Sequence, residues 1–234
     1  MLLPIRDENP HPPGFKPKVT IGLIIVNVIV FFLEVIYTGQ FFDFTNQNAF
    51  VMFYNWGAVP GCITGAFSGV DMGGTIQSCP AFPELTLLTS TFMHGGLLHL
   101  GGNLLFLWIF GDNIELKFGK IKFLGIYLAW GVVAGLVHIF GDMSSGIPAV
   151  GASGAVYGVL VAFGMYFKDA KLALIFLPIP IAAKYFIPIL IAIDVFFGMT
   201  DYSIGNIAHF AHIGGAIIGF IIAWYWKKNQ FIIN

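Results

Sequence analysis

Apolar residues gather in long runs along this chain, separated by shorter segments that carry the charges, prolines and most of the polar side chains. A run of about 17 to 25 residues is what a helix needs to cross a bilayer core. Six such runs fall at 19–38, 88–111, 121–140, 150–167, 180–198 and 205–226. The pattern predicts an all-α, polytopic membrane protein of six transmembrane helices, bounded by tails at 1–18 and 227–234.

The segments between the runs refine this layout. The loop at about 39–87 is long for a connector and glycine-rich between Gly57 and Gly74, so structure of its own is expected there. It holds both cysteines, Cys62 and Cys79, whose spacing is compatible with a disulfide or with two free thiols. The stretch KDAKLALIFLPIPIAAK is interrupted by Pro178 and Pro180 and reads as a bent connection into the fifth run.

Basic residues orient the helices. Arg6, Lys16 and Lys18 precede run one, Lys117, Lys120 and Lys122 lie between runs two and three, and Lys168 and Lys171 follow run four. Lys184 opens run five, and Lys227 and Lys228 follow run six. The opposite loops carry Asp43, Asp71, Glu84, Asp142 and Asp201 without any Lys or Arg. The positive-inside rule then makes both termini cytoplasmic and the 39–87 loop extracytoplasmic. The first 18 residues hold charges and prolines rather than a short apolar run with a cleavage site, so run one is expected to be its own insertion signal.

Composition agrees: 57% of residues are hydrophobic, 10% are charged, and the mean hydropathy is +0.84. That leaves too little polar surface for a soluble globule of 234 residues. The net charge of -1 and the absence of a basic cluster interleaved with aromatics exclude nucleic acid as a partner.

Runs two, four and six share one direction, so their N-terminal ends approach the same membrane face. His94, His99 and Asn103 fall there on run two, Ser153 on run four, and His209 and His212 on run six. If run six starts near Asn206, His212 lies roughly 9 Å below its start at the helical rise per residue. Polar groups at that depth should face a protein interior or a watery cavity. Ser153 in GASG sits between glycines that let a substrate approach, at a helix start whose free N–H groups can hold an oxyanion. Gly154 and Gly158 also make a helix-packing GxxxG, so GASG alone has two readings. A histidine would supply the base that a nucleophilic serine needs. These histidines could instead bridge helices by hydrogen bonds. His209 and His212 at i and i+3 could ligate a metal, but no acidic ligand accompanies them in HFAH, so neither a metal site nor any cofactor is expected. His99 and Asn103, four apart, share a helix face that could donate to an oxyanion or bond a neighbouring helix.

HGGLLHLGGN at 94–103, GDNIELKFG at 111–119, GASGAVYG at 151–158 and AHIGG at 211–215 resemble, in order and spacing, the rhomboid intramembrane serine proteases. The resemblance runs from run one to run six. It implies a compact six-helix rhomboid fold with a Ser-His dyad and no third acidic member. In it Ser153 corresponds to the nucleophile and His212 to the general base, while His99, Asn103 and the Ser153 backbone N–H correspond to the oxyanion hole, lined by Gly151. It selects His212 over His209 because the small residue it places three positions after the base is Gly215. Tyr157 matches the aromatic that packs on the base, and His209 is left as a supporting residue. The Trp-Arg pair of some members has no counterpart, since Trp56 is followed by Gly57.

The expected activity is therefore endoproteolysis of membrane-protein substrates within or near their transmembrane segments. The enzyme would lie in the cell's inner, cytoplasmic membrane, in contact with lipid, with its site near the extracytoplasmic face. Two rivals accompany this reading. One is a non-proteolytic rhomboid-like factor that binds and escorts membrane proteins. The other is a small transporter using Glu34, Asp194 and the histidines, although both acids are expected near outer helix ends, within reach of the interface.

Overall fold

The computed structural model describes residues 4–71, 76–175, 177–198 and 209–229. Its helices are α1 (Lys18–Thr38), α2 (Gln47–Trp56), α3 (Pro60–Thr64), α4 (Thr86–Thr89), α5 (Leu97–Phe118), α6 (Lys120–Gly141), α7 (Ser153–Tyr166), α8 (Ala183–Gly198) and α9 (His209–Asn229). Among the described residues, α1, α5, α6 and α9 are long and apolar enough to cross a membrane, and α7 is a shorter apolar helix. The expected start of the sixth run at 205–208, with Asn206, lies outside the described residues, as do Asp201 and the tail beyond Asn229.

The second run is displaced from its expected position. The run is expected from residue 88, yet the chain there forms α4 and a short 3-10 turn (Ser90–Phe92), and Gly96 at φ 155° precedes the helix proper. At the other end α5 continues through Asp112, Asn113 and Glu115 to Phe118, where the apolar run has already ended. Those polar residues are satisfied by the N-terminal segment. The buried Glu115 carboxylate accepts from the Val19 and Thr20 backbone N–H groups at 3.0 and 2.8 Å and from the Thr20 hydroxyl at 2.9 Å. It thus caps the free N-terminus of α1 from another helix, a role Pro17 cannot fill with a side-chain bond.

The chain is mostly helical rather than wholly so. The expected bent connector after α7 is a β-hairpin, β4 (Lys171–Leu174) and β5 (Leu177–Ala182), and the expected N-terminal tail contributes β1 (Pro4–Asp7) to its edge. Leu172 and Leu174 alternate inward from β4 and are buried. The Asn113 amide ties this sheet to α5 by donating to Asp7 at 3.2 Å. This sheet therefore lies at the lysine-bearing end of the helices, where Lys227 also donates to the Met165 carbonyl at 3.0 Å.

The opposite end carries the structured loop. Its short strands β2 (Gly69–Asp71) and β3 (Ile76–Ser78) pair antiparallel, and Cys62 and Cys79 form a disulfide with Cα atoms 5.6 Å apart. The buried Tyr54 hydroxyl sits 3.2 and 3.5 Å from the two sulfurs. The bridge spans 17 residues, so replacing both cysteines by serine is expected to cost this loop ~3 kcal/mol of stability. Limited proteolysis between α3 and α4 checks this: faster cutting is expected with the helices still intact.

The core is built by α5, α6, α7 and α9 around Phe110, Phe123, Tyr127, Trp130, Val159 and Phe163, all buried. The approach of α7 to α9 and α6 is set by glycine. A Cβ on Gly215 or Gly219 would run into the α7 backbone at Gly154 or Gly158, and one on Gly158 would meet the Trp130 ring. This close packing fixes the distance between the N-terminal ends of α7 and α9.

Candidate active site

Ser153 is the first residue of α7, presented by a sharp entry. Gly151 has φ 131°, a conformation other residues rarely adopt, and its N–H donates to the Ser90 carbonyl at 2.8 Å. Ala152 then begins the helix, with the Val156 N–H bonded to its carbonyl at 3.0 Å. The N–H groups of the first turn, including that of Ser153, have no intrahelical acceptor in such a geometry.

His212 lies one turn into α9, and its Nε2 is 2.7 Å from Ser153 Oγ. Tyr157, one turn after Ser153, stacks on the imidazole with centroids 4.4 Å apart and planes 10° from parallel. The ring is therefore fixed in plane as well as in distance. Gly215, one turn further on, is the point of closest helix approach and lets both side chains reach each other.

His99, on the first turn of α5, faces this pair. Its Nδ1 accepts from the Gly95 N–H at 3.2 Å, which leaves the ring proton on Nε2. The loop that offers this donor is held from α1, where the buried Glu34 carboxylate accepts from the His94 N–H at 3.0 Å. A methyl group at Gly151 would stand 2.8 Å from His99 Nε2 and 3.6 Å from Ser153 Oγ. The Gly151 backbone therefore lies against the His99 ring and close to Ser153 Oγ, with no room for a side chain at that position. Asn103, buried one turn below, donates one amide N–H to the His99 carbonyl at 2.9 Å and retains a second donor. A cavity of about 20 Å³, room for a single water molecule, lies behind Ser153 and is lined in part by Ser90, Thr91 and Gly151. A larger cavity of about 550 Å³, between α1, α2 and the segment before α5, is lined by none of Ser153, His212, His99 or Asn103.

Ser153, His212, Tyr157, Gly151 and His99 thus meet at one end of the helices, and one further side chain touches this group. Asp194 of α8 accepts from His212 Nδ1 on Oδ2 at 2.9 Å and from His209 Nδ1 on Oδ1 at 2.8 Å. HFAH itself holds no acidic residue, as read from the sequence, but the fold brings one to both histidines from a separate helix. Asp194 and Glu34 were also expected to reach the interface; Asp194 is instead turned inward with 12% of its side chain exposed, and Glu34 is buried. Nothing in the HFAH segment signals Asp194, because it stands 18 residues away on a separate helix. The ligand atoms of Asp194, His209 and His212 lie within 4.8 Å of one another and could hold an ion, but the same atoms already pair in hydrogen bonds.

A polar site of this kind inside a bundle of apolar helices defines a membrane-embedded protein with a serine, a histidine and a set of N–H donors at one face. The rhomboid domain pattern matches residues 84–229, more than half of the chain, and the chain belongs to the rhomboid family. It is 31% identical over 209 residues to the rhomboid protease GluP of Bacillus subtilis, covering 89% of this chain and 34% of that protein. It is 34% identical over 156 residues to the human presenilin-associated rhomboid-like protein of mitochondria, covering 63% of this chain and 41% of the relative. With the mitochondrial rhomboid protein 1 of Saccharomyces cerevisiae the identity is 29% over 149 residues, covering 62% and 42%. The match therefore spans about two-fifths of the length of these relatives, or less.

Proposed function

We propose that this protein is an intramembrane serine endopeptidase with six transmembrane helices in one domain at about 19–226, which cleaves other membrane proteins in or near their transmembrane segments. The observation that carries the reading is the 2.7 Å contact of Ser153 Oγ with His212 Nε2, with the His99 ring close against Gly151 on the same side. The similarity to the rhomboid protease GluP supports the same activity.

In the proposed reaction His212 Nε2 takes the Ser153 hydroxyl proton as Oγ attacks the scissile carbonyl carbon. The carbonyl oxygen becomes an oxyanion, to which the His99 Nε2–H, the Asn103 amide and the Ser153 backbone N–H are the candidate donors. The C–N bond then breaks, and the imidazolium returns its proton to the leaving amine. Water, activated by the same imidazole, hydrolyses the acyl-enzyme and restores Ser153. A substrate helix buries its carbonyls in its own i to i+4 bonds, so it must unwind locally before it can be cut.

The lysine-rich end of the helices and the disulfide at the opposite end support a topology with cytoplasmic termini and a site near the extracytoplasmic face of the cell membrane.

The test is to reconstitute the full chain with a model transmembrane substrate and to label it with a fluorophosphonate. Cleavage and covalent labelling at Ser153 are expected; a folded protein that is neither labelled nor active sinks the reading. Within it, His99→Ala and Asn103→Ala should each lower kcat by ~10²-fold with little change in KM, since both donors act on charge that exists only after attack. Steady-state kinetics on the reconstituted substrate give the split.

A further inference from the structure

Asp194 is a largely enclosed acid in contact with His212 that the Ser-His mechanism above leaves unused. Its two carboxylate oxygens are divided between two histidines of α9, Oδ2 to His212 Nδ1 and Oδ1 to His209 Nδ1, at 2.9 and 2.8 Å. All three side chains are largely enclosed, with 12%, 13% and 8% exposed for Asp194, His212 and His209. An acceptor shared this way can bond both rings only if each carries its proton on Nδ1. For His212 that tautomer leaves the Nε2 lone pair facing the serine hydroxyl, as a general base requires. For His209 it leaves Nε2 as a bare acceptor, and that atom is buried with no hydrogen-bond partner among the described residues. Its contact with the rest of the site is therefore through Nδ1, which places it to hold the carboxylate.

We infer that Asp194 is a positioning residue for the Ser153–His212 pair, and that His209 anchors its carboxylate, so the site works as a serine-histidine-aspartate arrangement spread over α7, α9 and α8. The inference rests on the protease reading above. No proton is transferred to Asp194. The carboxylate keeps the His212 proton on Nδ1 before attack and offsets the positive charge the ring gains when Ser153 loses its proton to Nε2. Tyr157 stacked on the ring restricts its tilt, and the carboxylate restricts its rotation in plane.

The experiment compares wild type, Asp194→Asn, Asp194→Glu and His209→Leu as full-length protein in proteoliposomes. Two quantities are read per mole of folded protein: kcat and KM on a model transmembrane substrate, and the rate of fluorophosphonate labelling at Ser153. Asp194→Asn can place an N–H against His212 Nδ1 and stabilise the wrong tautomer. A fall on the order of 10²–10⁴-fold in both kcat and labelling rate is expected, with KM within about threefold. Asp194→Glu should recover part of the labelling rate, and His209→Leu should lower both rates by ~10-fold. The small probe needs no helix unwinding, so a parallel fall in labelling assigns the defect to the serine rather than to substrate entry. Wild type that is not labelled at Ser153 overturns the protease reading and this inference with it. A labelled wild type beside an Asp194→Asn variant of equal labelling rate overturns this inference alone. Reduced thermal stability with unchanged rates per folded molecule also overturns it, by leaving Asp194 a purely structural tie.

Discussion

Replacing Ser153 by alanine is expected to lower cleavage of a reconstituted transmembrane substrate by ~10⁴-fold or more, to the level of the uncatalysed background. The size follows from what is lost. Ser153 Oγ is the atom that His212 Nε2 addresses at 2.7 Å, and no other hydroxyl stands at that nitrogen in the described contacts. Without it the donors around His99 and Asn103 have no tetrahedral intermediate to stabilise. His212→Ala should cost nearly as much, since a serine hydroxyl without a base is un-ionised at neutral pH. The double variant should be no worse than either single one, because the two groups act as a unit and their effects do not add. Substrate binding should survive in all three, measurable as unchanged co-purification or crosslinking of the uncut substrate. Cleavage that persists in either single variant removes the Ser-His reading.

The site was legible in the sequence to the extent that its members sit on local motifs. Ser153 and Gly151 share one turn, His99 and Asn103 share one face, and His212 and Gly215 are a turn apart, so spacing alone groups them. Helix parity brings the three groups to one membrane face without knowledge of packing. Asp194 obeys no such local rule. It belongs to α8, and its relation to α9 is made only by tertiary contact, with residues 199–208 of the connection outside the described structure.

The fold divides along the same line. The runs at 19–38 and 121–140 agree with α1 and α6 to within a residue or so, because Pro17, Gly39 and Gly119 punctuate them where hydropathy also changes. Run two slips because hydropathy measures transfer into lipid, whereas the end of α5 is decided by whether its polar residues find partners. Glu115 finds the N-terminus of α1, and Asn113 finds Asp7, so the helix continues where its hydropathy fails. The sheet joining β1 to β4 pairs segments more than 160 residues apart, roughly two-thirds of the chain, and no local pattern announces such a pairing.

Gly215→Val is expected to be the most damaging substitution outside the reacting groups, destabilising the protein by about 3–5 kcal/mol and abolishing labelling of Ser153. A side chain at Gly215 would overlap the Gly154 carbonyl, which belongs to the first turn of α7 and has no rotamer to change. Relief requires α7 and α9 to separate, and the same separation draws His212 away from Ser153. The glycines of GASG thus answer both readings of that motif at once: Gly154 packs α7 on α9 and Ala134 of α6, and that packing sets the span across which the serine and histidine meet. Gly125→Ala in α6 is the control. No atom lies within 4 Å of the position its Cβ would take, so the change should be neutral or stabilise by about 0.5–1 kcal/mol through helix propensity, with labelling intact. Thermal unfolding in detergent, followed alongside fluorophosphonate labelling, compares the two. If Gly215→Val melts like wild type and still labels, close approach of α7 and α9 is not what holds the site together.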